Sequence, residues 1–323
     1  MRSIALCGVT TLVFLAAPNS AKAQGGDRMN PIIAAQEKGL PIFGISHPAI
    51  VRRAFRGGPP GAPGATPPAA TAPAAPPPEI NLADAATETV AFRRADYLFT
   101  QGTSETFLRY LEEIRKAGGS MRTHPFTAKI GIWHADPVKV NQAIVSQLNA
   151  GHVSVSMEAV ESAQEVRDVI KAMRFASKGG TRPDTGLAAA AAYWGLSVAQ
   201  YKEKADVWPL NKNGELFISV IIESKEGLAK VREIAAEPGV AQIFAGYGTL
   251  GGVFRGDPAG REAAAATILA ACKEFKIPCG FPTNTPAEME QRMNEGWTVH
   301  IMQRRDSLAF GAIETGRAKF GRK

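Results

Sequence analysis

The sequence predicts an α/β chain folded as a (β/α)8 TIM barrel, and three observations point there. About eight short apolar runs rich in β-branched and aromatic residues recur along the chain. Helical patterns with readable caps lie between most of them. The roughly 300 residues that follow the first 23 are enough to bury the core of one large domain. On pattern alone an open doubly wound sheet is the alternative.

In chain order, Met1, Arg2 and Ser3 precede a mostly apolar Ile4 to Ala17, and Ser20 leads into Ala21-Lys22-Ala23. A charged start, a short apolar stretch and an A-x-A site form the pattern of a cleaved signal peptide over residues 1–23, so the chain is expected to be exported, periplasmic or secreted. An uncleaved signal anchor is the competing reading. No later stretch approaches the roughly twenty apolar residues that a membrane-spanning helix needs. Residues 24–323 are expected to form a single barrel domain. Residues 57–78, almost entirely Gly, Pro, Ala and Thr, cannot bury enough apolar surface to order themselves and read as a disordered insertion.

The predicted strands are Pro41 to Ser46, Asp96 to Thr100, Ala128 to Trp133, Val153 to Met157, Leu216 to Ile222, Val240 to Ala245, Cys279 to Pro282 and Thr298 to Gln303. Between them, Ser162-Ala-Gln-Glu165 is a capping box before an apolar face of Val166, Val169, Ile170 and Met173. Thr285-Pro286-Ala-Glu288 is a second box, with Gly296 as the stop. Ser224 can cap a helix carrying Leu228, Val231 and Ile234.

The charge is +7 for the full chain and +5 without Arg2 and Lys22. The basic residues are interleaved with acids and not clustered with aromatics, which argues against nucleic acid and leaves room for a small anionic ligand. After cleavage only Cys272 and Cys279 remain, which excludes a disulfide framework and a thiolate zinc site. They read as two free, buried small residues, with a single bridge as the alternative.

In such a barrel the chemistry sits where the strands end. The candidates are therefore His47, Gln101 to Ser104, His134 with Asp136, Glu158, Glu223, Gly246 to Thr249, Thr283 with Asn284, and Arg304 to Asp306. Glu223 ends an apolar run and suits a hard divalent cation, or else the start of the helix opening at Ser224. The amides of Gly246-Tyr247-Gly248-Thr249 could cradle an anion, or mark an ordinary glycine turn. His134, beside Asp136, and His47 are candidate bases or metal ligands, with a structural role as the plain alternative. His152 and His300 read as packing or surface residues.

With Asn30 to Gly39, Leu148-Asn-Ala-Gly151, Met157 to Arg167, Tyr193-Trp194-Gly195, Ile222-Glu223-Ser224 and Phe244 to Leu250 assembled, the chain resembles the HpcH/HpaI aldolase and citrate lyase family. The resemblance implies a phosphoenolpyruvate/pyruvate-domain-like barrel and a metal-dependent lyase that takes a small 2-oxo acid and an aldehyde, usually as a trimer or hexamer. It places Glu223 at the position of a metal-binding glutamate and Thr249 where the family has a metal-binding aspartate. It also implies a divalent metal (Mg2+, Mn2+ or Co2+); the family's general base is absent here, and in a rebuilt site His47 or His134 would replace it, with Gly246, Tyr247, Gly248 and Trp194 against substrate. Gln101 to Ser104 depart from the family's acid-and-histidine pattern, Ile221 replaces a glutamine, and the substrate arginine falls near Gly131. A lyase with a rebuilt site is one expectation, and a barrel that binds a ligand or partner without catalysis is the other.

Overall fold

The computed structural model describes residues 28–46, 80–100 and 105–322. The candidate base His47, the segment Gln101 to Ser104, the leader and the Pro/Ala-rich insertion lie outside the described residues.

Nine strands form one parallel sheet: β1 Ile42–Ser46, β2 Tyr97–Thr100, β3 Phe126–Ile132, β4 Ser154–Glu158, β5 Val207–Trp208, β6 Leu216–Ile222, β7 Val240–Ala245, β8 Cys279–Pro282 and β9 Val299–Met302. Their order is β4-β3-β2-β1-β9-β8-β7-β6-β5, and a further pairing of β4 with β6 closes eight of them into a barrel. Because a parallel strand is covered by barrel interior on one face and by helices on the other, most read as mainly apolar runs. The burial of all seven residues of β6 is the plainest case.

Three strands coincide with their predicted bounds, and the others shift by a residue or two. The displacement of β3 has a visible cause. Gly131 adopts φ +93°, and the pairing of β3 with β4 shifts register between Lys129 and Ile132. The two-residue β5, which precedes the cis bond Trp208–Pro209, carries no signal of a strand in the sequence.

The caps work as local chemistry dictates, with one difference. Ser162 and Thr285 accept from the amides of Glu165 and Glu288, but the return bonds go one residue earlier than a capping box requires, to Glu161 N and Asn284 N. Gly296 ends its helix in the left-handed region, φ +109°, where a side chain would be strained. The helix expected after Ser224 breaks at Lys230 into Lys225–Ala229 and Val231–Ala235.

Cys272 and Cys279 are not free but disulfide-bonded, with Cα atoms 5.7 Å apart. Lys276 turns the chain through φ +55° at the end of the helix Pro258–Phe275, which brings the first residue of β8 back against the helix's last turn.

Candidate active site at the barrel mouth

The C-terminal ends of the strands surround a cavity of about 500 Å3 that runs from the mouth into the barrel. Among its lining residues are Lys129 from β3, Glu223 after β6, Gly246 to Thr249 after β7, and Gln303 and Arg304 after β9.

Glu223 is only 8% exposed. Its Oε1 accepts a hydrogen bond of 3.2 Å from Ala159 N, and Ala159 is one of two non-glycine residues of positive φ among the described residues (+46°). A strained peptide therefore holds the carboxylate in place. Oε2 carries no hydrogen bond from the described residues. Gly246 passes so close that a Cβ there would come within 2.6 Å of Oε2, so a side chain at 246 would displace the glutamate.

Lys129 is the residue that sequence reasoning missed. Its ammonium lies 2.7 Å from Glu158 Oε1, with both side chains about a quarter exposed (22% and 24%). The signal was present: a single charged residue inside an otherwise neutral strand, in phase with the inward-facing Thr127. The cation of β3 that faces the cavity is thus Lys129, two residues before Gly131. With Lys129 and Glu158 paired, and Arg304 held by Asp306 at 2.8 Å, the unpaired formal charge among the described residues lining the cavity is that of Glu223.

The structure gathers some of the sequence-predicted residues and disperses others. Gly246, Tyr247, Gly248, Thr249 and Glu223 all line the cavity. However, Gly246 N is already bonded to Ile222 O at 2.9 Å, and Tyr247 to Thr249 form the first turn of the helix Tyr247–Val253, so the expected four-amide cradle is reduced to three orphan amides. The Tyr247 ring is covered by the Arg261 guanidinium, 3.4 Å from its centroid, and its hydroxyl bonds to Glu262.

His134 is placed outside the cavity, with Nδ1 3.5 Å from Glu165 Oε2 at the start of the helix Ala163–Met173. Asp136 does not orient it but caps the helix Pro137–Ala150 by accepting from Lys139 N. Trp194 is buried in the helix Ala188–Trp194, where its indole N–H donates to Gly151 O at 2.9 Å and its ring meets Tyr201 edge-on, so it does not line the site. His152 and His300 are fully buried packing residues.

Among the described residues no three His, Cys, Asp or Glu side chains come together to hold a metal ion. Among the described residues, what the mouth offers a hard cation is one carboxylate oxygen, Glu223 Oε2, and neutral side-chain oxygens such as those of Ser46, Thr249 and Gln303. That set fits a cation that arrives with an oxygen-rich ligand and keeps several waters, as Mg2+ does, and not one caged by the protein alone.

The chain is 29% identical over 168 residues to a 2-dehydro-3,6-dideoxy-6-sulfogluconate aldolase of Pseudomonas putida, a match covering 50% of this chain and 60% of the relative. It is 29% identical over 154 residues to a hydroxypyruvate/pyruvate aldolase of Paraburkholderia phytofirmans, covering 46% and 57%. The chain therefore spans 60% or less of the length of these curated relatives. A crystal structure of an HpcH/HpaI aldolase/citrate lyase family protein from Burkholderia cenocepacia superposes with a TM-score of 0.60 at 18% identity, over 87% of this chain and 94% of that one, a likeness of fold. The family model for HpcH/HpaI aldolase/citrate lyase matches residues 130–293, just over half of the chain and the segment that carries Glu223 and Gly246 to Thr249, so the chain belongs to the HpcH/HpaI aldolase/citrate lyase family.

Proposed function

We propose that the chain is a carbon–carbon lyase acting on a small 2-oxo acid and an aldehyde at the barrel mouth. The observation that carries this reading is the meeting of Lys129 and Glu223 on one cavity at the end of the barrel where chemistry resides in this fold. A 2-oxo acid brings a carboxylate and a carbonyl. The Lys129 ammonium attracts the carboxylate, exchanging or sharing its bond with Glu158. The orphan amides of Tyr247 to Thr249 supply further donors.

Glu223 Oε2, with Thr249, would hold a divalent cation (Mg2+, Mn2+ or Co2+) that enters with the substrate. Bound there, such a cation polarises the carbonyl and favours the enolate. The Ala159 amide fixes the carboxylate that holds it, and Gly246 keeps the approach open. For proton transfer the candidate is His47, the residue after the cavity-lining Ser46. His134 is set aside because it stands against Glu165.

A single unpaired carboxylate among the described residues at the mouth favours a second reading, a barrel that binds its ligand without catalysis. The leader-like start of the chain supports export, and the family resemblance supports a homo-oligomer.

Calorimetric titration of Mn2+ into metal-stripped protein, with and without pyruvate, tests the first reading. Binding that appears with pyruvate and vanishes in Glu223→Gln supports the lyase. Pyruvate binding that is indifferent to both metal and Glu223→Gln favours the binding barrel, and no binding of either removes both readings.

A further inference from the structure

The cavity does not stop at the mouth. Along a strand, residues two apart share a face and differ in depth, so each mouth residue has a partner one level down the barrel. Phe99 and Lys129 stand above Tyr97 and Thr127, and Ile221 and Phe244 stand above Ser219 and Gln242; all eight line the same cavity, together with Ser156. The interior of such a barrel is ordinarily filled by branched aliphatic side chains. Here β3, β4 and β6 offer only Thr127, Ser156 and Ser219 at the lower level, and the missing volume is the shaft.

Two features mark the shaft as a place for a ligand. The first is its polar floor: Thr127 is 3% exposed, and its hydroxyl is buried with no hydrogen-bond partner among the described residues. A buried hydroxyl left unpaired is a cost that a ligand donor or acceptor removes. The second is its aromatic collar: Phe99 and Phe244 remain half-buried although both point into the barrel, so their rings face open space. A pyruvate molecule needs only a small part of about 500 Å3.

We propose that this shaft is a substrate-tail subsite for an aromatic ring carrying a distal hydroxyl, so that the 2-oxo acid taken at the mouth is of the hydroxyarylpyruvate class. The ring lies between Phe99 and Phe244, and its hydroxyl bonds to Thr127 at the floor, in the space left by the small Ser156 and Ser219. The identity of the acid rests on the reading of the mouth given above; the subsite itself does not.

The test is calorimetric binding of pyruvate, phenylpyruvate, 4-hydroxyphenylpyruvate and p-cresol, with Mn2+ present, to the full chain and to Thr127→Val and Ser156→Leu. In the unaltered protein, affinity is expected to rise at least tenfold from pyruvate to phenylpyruvate and about fivefold more with the hydroxyl, the worth of one neutral hydrogen bond. Thr127→Val, which keeps the shape, abolishes the hydroxyl's fivefold and leaves phenylpyruvate unchanged. Ser156→Leu fills the shaft and brings the aryl acids down to the level of pyruvate; circular dichroism checks its fold, and Thr127→Val decides alone if it fails to fold. Aryl acids that bind no tighter than pyruvate overturn the subsite and leave the shaft to water, while the reading of the mouth stands. Binding of p-cresol that weakens in Thr127→Val, with no 2-oxo acid bound at all, upholds the subsite and overturns the mouth.

Discussion

At the N-terminal end of the barrel Glu215 accepts from the amides of Met29 and Asn30 at 3.2 and 2.9 Å, and Asp96 accepts from Phe43 N and from two arginines, Arg317 and Arg322. At the C-terminal end Glu223 has one hydrogen bond from the described residues, supplied by a strained residue, and the shaft beneath it holds the Thr127 hydroxyl, unpaired among them. Both ends bury carboxylates. The difference is that the closed end uses its charges to tie the chain's outer segments to the sheet, whereas the mouth leaves valence unspent. A folded chain keeps such groups only where the rest of the structure supplies the stability, and that is where a ligand finds partners. The two ends should therefore respond oppositely to perturbation, the closed end in stability and the mouth in binding.

Acid should strike the packed body first. Burial pushes the His152 and His300 imidazoles down to about 4 from an ordinary value near 6.5. His152 is lodged between the rings of Phe107 and Phe126, and His300 is stacked on Phe43. The unfolded chain takes up these protons as pH falls below 6.5 and the folded chain does not until near 4, so this stability is complete above 6.5 and lost across that window. At about 1.4 kcal/mol per unit, each histidine contributes roughly 3 kcal/mol. Urea midpoints from pH 7.5 to 4.5 should fall steeply, and less so in His152→Gln. A flat profile would mean that the folded state accommodates the charge.

Glu215→Ala comes next. It strips two buried amides and the nearby Arg28 guanidinium of their acceptor, which should cost on the order of 3–5 kcal/mol in urea denaturation at neutral pH. A loss under about 1 kcal/mol would show that the segment beneath the barrel is held by Ile32, Ile33 and its bonds to the backbone of Gly214 and Glu215.

Lys129→Met should reverse the pattern. Its pair with Glu158 is partly solvated and worth no more than about 1 kcal/mol, so the unfolding midpoint should hardly move. Pyruvate affinity should drop at least tenfold, because the cation that meets the carboxylate is gone. Unchanged affinity would remove Lys129 from the site.

The same contrast accounts for what could be read in advance. Barrel strands are apolar on both faces, so Leu216–Ile222 and Val240–Ala245 stand out without ambiguity. β3 was legible as a strand too, but its inward-facing charge, Lys129, lies inside the strand before the irregularity at Gly131, so its only signal was its phase with Thr127 and not a place at the strand's end. Glu223 was legible because a carboxylate directly after the apolar run of β6 stands at the mouth whichever way the following helix turns. His134 and Trp194 lie in segments of similar promise, but which side of a helix or loop faces the mouth depends on contacts far along the chain, with Glu165 in one case and Gly151 in the other. The Cys272–Cys279 bridge likewise required the tight turn at Lys276 to be known.

The smallest expected effect probes how the mouth is held. An alanine in the left-handed region costs roughly 1–2 kcal/mol, and a glycine there escapes that strain but gives up about 0.5–1 kcal/mol of chain entropy, so Ala159→Gly should leave stability within about 1 kcal/mol. Its consequence lies elsewhere. The Ala159 amide is the single described donor to Glu223, and a backbone freed to leave φ +46° holds that bond for less of the time. Calorimetry should then show the coupling between Mn2+ and pyruvate weakened a few-fold at an unchanged unfolding midpoint. Should coupling survive intact, Gly246 packing against Glu223 would be enough to hold the carboxylate, and the strain at Ala159 would belong to the β4 turn and not to the site.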